Sequence, residues 1–206
     1  WSIHAQRERE LEAIGHSDYY KLMMVRQFKA TGRKLWPVIR CMPSEATAEV
    51  AHILQSGYRP RIIFYDLPGT VNAEGVLHIL ASLDEVFIPI KADKVVMESS
   101  LSFARSLNNG FVRRASFQLQ GVRLFWTMID RRERTPLYDR YEEVIHKLGL
   151  SLMTTHIPYR SKFNKELLAD GTGIGRSTLL APERTFVRDG QIETLAMEIL
   201  SILKIR

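Results

Sequence analysis

Apolar residues recur along this chain in two rhythms, and the second organises most of its length. Near the N-terminus the rhythm is helical. Residues 3–14 (IHAQRERELEAI) are rich in helix formers and stop at Gly15. Ser17-Asp18 is placed to cap a second helix running to Ala30 and closed by Thr31-Gly32. Trp36–Met42 (WPVIRCM) reads as a short strand, with Pro37 at its start or edge. Glu45–Gln55 reads as a helix stopped by Ser56-Gly57.

From Arg61 onward, short apolar runs alternate with helical stretches. RIIFY (61–65), EVFIPI (85–90), GVRLFWTMI (121–129) and Leu152–Ile157 read as strands, the first continuous enough in apolarity to be buried on both faces. Asn72–Ser82 reads as a helix with Asn72 as its cap. Asp93–Leu107 follows, with Met97, Leu101, Ala104 and Leu107 along one face. Thr135-Pro136 opens another helix, ended by Gly149, whose expected buried stripe is Leu137, Tyr141, Val144, Ile145 and Leu148. The last helix is Gln191–Lys204, carrying Ile192, Leu195, Ile199, Leu200 and Leu203. This order predicts the α/β class: a mostly parallel sheet flanked by helices on both faces, in a single domain over residues 1–206. Ligands of such sheets bind beyond the carboxyl ends of the strands.

Composition narrows this picture. With 206 residues, 45% hydrophobic and 25% charged, the chain can bury a sizeable core. Its only cysteine, Cys41, rules out an intramolecular disulfide and a cysteine-based zinc cluster, and its apolar surroundings predict a core position. The six histidines show no metal-binding spacing. No apolar run approaches the roughly 18–20 residues needed to span a bilayer, so the expectation is a soluble, cytoplasmic chain. Lys+Arg 29 against Asp+Glu 23 leaves a net charge of +6, which permits contact with phosphates.

Chemistry is sought at the strand ends. RIIFY is followed by Asp66-Leu67-Pro68-Gly69, an acid placed to hold Mg²⁺ and a turn able to present amides to a phosphate. The third strand ends at Thr127-Met128-Ile129-Asp130, where nucleotide-binding α/β proteins read the base, and the fourth at Ile157-Pro158-Tyr159. Each of these has a plain structural alternative as a turn or strand stop.

Taken together, the segments RIIFYDLPGTVN (61–72), EVFIPIKADKVVMESSLSFARSL (85–107), WTMIDRRERTPLYDRYEEVIHKLG (126–149) and HIPYRSKFNKE (156–166) resemble the ParA/MinD family of deviant-Walker P-loop ATPases, most closely the ParA-like TraA proteins of conjugative transposons. The resemblance covers about two-thirds of the chain. It implies a P-loop NTPase-like fold and an ATPase acting in partition, maintenance or transfer of a mobile DNA element. ATP and Mg²⁺ would be its cofactors, and a homodimer, non-specific DNA and a stimulating protein its partners. Asp66 would be the Walker B acid, catalytic and metal-orienting, with Pro68-Gly69 as its switch-like continuation. Thr127, Ile157 and Pro158 would border the adenine, and Asp130, at the same strand end as Thr127, is a further candidate for cofactor binding. Where the family often has an arginine after the Ile-Pro pair, this chain has Tyr159.

The family's phosphate loop has no counterpart here. Asp170–Thr178 (DGTGIGRST) is glycine-rich, but Asp170 stands where the first glycine belongs, Arg176 where the lysine belongs, and no strand precedes it. The resemblance therefore implies about 45–60 further residues before Trp1, carrying that loop and a central strand, and a fragment unable to hydrolyse ATP alone. Sheet edges left open on either side of that strand would favour oligomerisation or rearranged termini. Basic residues at Arg113-Arg114, Arg131-Arg132, Arg134, Lys162 and Lys165 are candidate DNA contacts or a solvated surface. Two other readings remain: a GTPase-like switch protein, which would need an Asn and a Lys where Thr127-Met128 stand, and a non-catalytic α/β interaction module.

Overall fold

The computed structural model describes residues 3–67, 74–114, 116–130, 136–165, 167 and 176–205. Its contacts divide the chain into two compact units, Trp1–Ala73 with Arg160–Val187 and Glu74–Tyr159 with Arg188–Arg206.

The first unit is helical. It contains α1 (Ile3–Gly15), α2 (Asp18–Thr31) and α3 (Ala46–Gln55). Capping follows the sequence: Ser17 Oγ accepts from Tyr20 N, and Gly32, left-handed at φ 63°, donates its amide to Phe28 O at 2.8 Å. Ile14 and Tyr20 pack with Leu167, Leu179 and Leu180 into a small core. Residues 177–181 belong to no helix or strand, so side chains satisfy their backbone. Glu10, only 1% exposed, accepts from Thr178 N at 2.7 Å, Thr178 Oγ1 at 2.6 Å, Ser177 Oγ at 3.2 Å and Gln6 Nε2 at 2.8 Å. Gln27 donates to Leu179 O and accepts from Ala181 N.

Two expected strands of this unit do not form. Trp36–Met42 and Arg61–Tyr65 carry no strand assignment and join no ladder among the described residues. Trp36 is 50% exposed and Phe64 72%. An apolar run becomes a strand only by pairing its backbone with a neighbouring strand, and among the described residues neither run lies in a sheet. Cys41 is likewise exposed rather than in a core. Desolvation, then Glu49 and Glu45, push its thiol pKa up.

The second unit carries the sheet. β1 (Glu85–Ile90), β2 (Gly121–Trp126) and β3 (Ser151–Leu152) are parallel and ordered β1-β2-β3. The bounds of β1 match the predicted run. Parallel neighbours need long crossovers, here α5 (Lys94–Leu107) from β1 to β2 and α6 (Leu137–Lys147) from β2 to β3. The N-cap of α5 is Asp93, whose carboxylate accepts from Val96 N at 3.0 Å. All four predicted residues of its inner face are buried. The helix packs on β1 and β2, and the unit's other buried apolar residues are Val86, Ile88 and Ile90 of β1, Val122, Leu124 and Trp126 of β2, and Val76, Ile79 and Leu80 of α4 (Val76–Ser82), among others. Gly121 sits under the Glu85–Arg123 ion pair; a Cβ there would lie 2.6 Å from Arg123 Nη2.

Three helical details depart from expectation. α4 starts after Gly75, left-handed at φ 83°, while Asn72 lies outside the described residues. In α6 only Ile145 of the five-residue stripe is buried; Leu137 and Val144 are exposed. After α7 (Arg184–Asp189), which the sequence reading did not anticipate, α8 (Ile192–Ile202) has no fully buried residue. Its anchor is polar. Glu198 accepts from Thr154 N at 2.7 Å, Thr154 Oγ1 at 3.0 Å and Thr155 N at 2.8 Å, stopping the backbone just past β3. Desolvation raises the Glu198 pKa, but the hydrogen bonds from Thr155 and Thr154 outweigh it and hold the carboxyl below its ordinary value.

Two outcomes follow. Glu10→Ala leaves several buried donors unpaired and should lower stability by about 3 kcal/mol in urea unfolding, with Glu8→Ala, an exposed neighbour, as the control. Because the folded-state pKa of Glu198 is depressed, its contribution is present above the unfolded pKa and lost as pH falls through the folded one. Glu198→Ala should therefore flatten part of the loss of stability as pH falls through and below the ordinary glutamate range, measured by unfolding midpoints across an acid titration.

Candidate functional site

The sheet continues past its strands as a narrower set of hydrogen bonds. Thr127, the first residue beyond β2, donates its amide to Ile90 O at 2.7 Å and its hydroxyl to the same oxygen at 3.0 Å. Ile157 N donates to Trp126 O at 2.8 Å, Ile129 N to Ile157 O at 3.2 Å and Tyr159 N to Ile129 O at 2.9 Å. An isolated parallel bridge joins Ile129 to Pro158. These bonds bring Thr127, Asp130, Ile157 and Pro158 to one edge of the second unit, the carboxyl edge of a parallel sheet. Pro158 is buried and the other three are half-buried.

A rigid wall stands behind this edge. Trp126 is fully buried, its indole N–H donating to Glu142 Oε1 at 2.9 Å, and the Tyr138 ring meets it edge-on with centroids 5.0 Å apart. Tyr141 lies at 6.4 Å. Buried indole N–H groups need such a partner, so Glu142 fixes the start of the 127–130 segment as well as the register of α6.

The chemistry of Thr127 follows from its geometry. A carbonyl oxygen only accepts, so in this contact the Thr127 hydroxyl donates its hydrogen to Ile90 O. What the hydroxyl offers any ligand is lone pairs. It is an acceptor, suited to an amino group and unsuited to a carbonyl.

The remaining predicted positions lie elsewhere. Asp66 belongs to the first unit, is exposed, and lies in the 62–67 segment, which has no helix or strand, rather than at the end of a buried strand. Pro68 and Gly69 lie outside the described residues, as do Arg131, Arg132, Arg134 and residues 170–175 of the glycine-rich loop. Lys162 is ion-paired with Glu183 at 2.9 Å, while Lys165, Arg113 and Arg114 are exposed. Among the described residues no three His, Cys, Asp or Glu gather as a metal site, and no helix is long and apolar enough to cross a membrane.

Two residues at this edge were not singled out as ligand contacts. Met128 has φ 57° and is 53% exposed; Tyr159 is 48% exposed. The sequence signal for Tyr159 was its place after Ile157-Pro158. Met128 gave none, because a left-handed methionine cannot be read from residue type.

Thr127→Val keeps shape but removes the hydroxyl donor. It should cost about 1 kcal/mol in chemical denaturation, whereas Thr127→Ser should retain most of the stability. No family model, curated protein or solved structure matches this chain, so the reading of its site rests on its own residues.

Proposed function

We propose that this chain is part of a ParA-like ATPase serving partition, maintenance or transfer of a mobile DNA element. The observation that carries the reading is the meeting of Thr127, Asp130, Ile157 and Pro158 at one carboxyl edge of a parallel sheet. Thr127, Ile157 and Pro158 are the positions the family resemblance assigns to the base, Asp130 closes the same strand end, and the two segments lie 27 residues apart (130 to 157) in the sequence. Parallel α/β sheets bind nucleotides at such edges.

The donor pattern favours adenine. The exocyclic amine of adenine donates, matching the acceptor face of the Thr127 hydroxyl, whereas guanine presents a carbonyl oxygen at the same ring position. A GTPase reading is weaker for that reason. Asp66 is the residue that would orient Mg²⁺. Magnesium commonly takes only one or two protein carboxylates and completes its shell with water and phosphate oxygens, so a single exposed acid fits its habits. The metal would neutralise charge developing on the phosphates during hydrolysis. The role of Thr127 is to accept a hydrogen bond from the base, and that of Pro158 and Ile157 to exclude water from one side of it. ATP-driven dimerisation, DNA association and stimulation by a protein partner complete the proposed cycle.

The test is Mg²⁺-dependent phosphate release by the full-length protein with ATP and with GTP. ATP should be preferred, and Asp66→Ala should reduce release by about 100-fold or more while leaving ATP binding measurable. Turnover unchanged by Asp66→Ala would remove that residue from the mechanism. Failure of any nucleoside triphosphate to bind would favour the non-catalytic interaction module.

A further inference from the structure

A surface helix turns its apolar residues toward its packing partner and its polar ones outward. α2 is apolar on both sides. Tyr20, Met23, Met24 and Gln27, spaced along one helical face, meet the rest of the first unit. Tyr20 is buried in its core, Met23 and Met24 pack against that core, and Gln27 bonds to Leu179 O and Ala181 N. At about 100° per residue, Leu22 and Val25 stand on the opposite side, flanked by Tyr19 and Phe28. These four are 48–60% exposed. Leu35, Trp36, Ile39 and Met42, in the irregular segment that follows, are exposed as well. Single exposed apolar residues are ordinary; eight large ones within residues 19–42 mark an interaction surface.

Charge is concentrated on the same stretch. Residues 19–42 contain Lys21, Arg26, Lys29, Arg33, Lys34 and Arg40, all exposed, and no acidic residue. The chain's whole excess of +6 therefore lies in these 24 residues, and the rest of it is balanced. Lys21 is ion-paired with Asp18 at 3.1 Å; the other five meet no carboxylate among the described residues.

Trp36 is the fixed point of this surface. The Arg7 guanidinium lies over its ring, 4.6 Å from the centroid, and donates to its carbonyl oxygen at 3.2 Å. Arg7 is itself held by Thr178, whose hydroxyl accepts from Nε at 2.8 Å and whose carbonyl accepts from Nη2 at 2.9 Å. A half-exposed indole fixed in this way is ordered before any partner arrives. Around it, the backbone of residues 34–41 makes no hydrogen bond to another backbone group among the described residues.

We propose that residues 19–42 dock an acidic, apolar segment of another protein. Its carboxylates pair with the lysines and arginines that lack a partner, and its apolar side chains cover Leu22, Val25, Phe28 and Trp36. Charge argues against a second copy of this chain, whose equal surface carries the same excess. Nucleic acid offers phosphates and base faces, but nothing that rewards Leu22, Val25 and Ile39. The unpaired peptide groups of 34–41 are costly in a bilayer's hydrocarbon, whereas an extended polypeptide can hydrogen-bond to them. This surface belongs to the first unit and owes nothing to the nucleotide edge, so neither reading depends on the other.

The test is fluorescence anisotropy of the full-length protein with a fluorescein-labelled peptide of Glu, Asp, Leu and Phe, its Gln/Asn counterpart serving as the uncharged control. The acidic peptide should bind at least about tenfold more tightly than the control, and added salt should weaken it. Amide exchange at residues 34–41 should slow when it binds. Reversing three charges together, Lys29→Glu, Arg33→Glu and Lys34→Glu, should cost about tenfold or more in affinity. Leu22→Ser with Phe28→Ser should do the same, while the unfolding midpoint stays near that of the parent because these side chains are exposed. Peptide binding that survives both sets of substitutions overturns the proposal. So does displacement of the peptide by phosphatidylserine vesicles or by duplex DNA, self-association through these residues, or failure of the peptide to bind.

Discussion

The carbonyl of Ile90 accepts two hydrogen bonds from one residue, the amide and the hydroxyl of Thr127, and the candidate site depends on that anchor. It carries the β1–β2 ladder one residue past its end and fixes where the chain leaves the sheet. Everything beyond follows in register: Ile157 on Trp126, Ile129 on Ile157, Tyr159 on Ile129. The same bond decides the polarity of the Thr127 hydroxyl toward a ligand. One contact therefore sets both the shape of the edge and the sign of its chemistry.

The two units are held by different means. In the second, parallel ladders and a buried apolar layer do most of the work, and Glu198 and Glu142 supply polar anchors at particular points. In the first, the backbone of 177–181 is satisfied by Glu10 and Gln27, with Arg7 donating to Thr178 O at 2.9 Å. A side-chain clamp of this kind is high-stakes, because each lost partner leaves a buried polar group behind. Its apolar support is small: five buried residues with Ala13, Met23 and Met24 around them.

How much was legible in the sequence divides along the same line. Local signals were readable: Ser17 as a cap, Gly32 as a helix stop, the inner face of α5. These depend on residues within a turn or two of one another. Strands depend on a partner. EVFIPI and RIIFY look alike as apolar runs, yet the first forms β1 against β2 and the second joins no ladder among the described residues. The stripe of α6 misled for a related reason. Periodicity names a face, but the neighbours decide how much of it is covered, and only Ile145 is buried. Placement at the sheet's carboxyl edge was legible where it followed from strand order, as with Thr127, Ile157 and Pro158. Asp66 was read from a strand that does not form, so its location did not follow.

Met128 marks the limit of such reading and also its use. Sequence rules describe what a chain prefers locally, and natural sequences mostly agree with those preferences at every level. A methionine in a left-handed conformation, half exposed and two residues past a strand, disagrees with them twice. Neither packing nor a helix end accounts for it. Such a conflict persists only where the surrounding structure over-determines the backbone, and here the bonds from Thr127 to Ile90 and from Ile129 to Ile157 hold both sides of the residue in place. The edge is thus preorganised before any ligand arrives. Ordering cost met during folding need not be met again on binding, which is the physical advantage of building a recognition surface on a strand end rather than on a free loop.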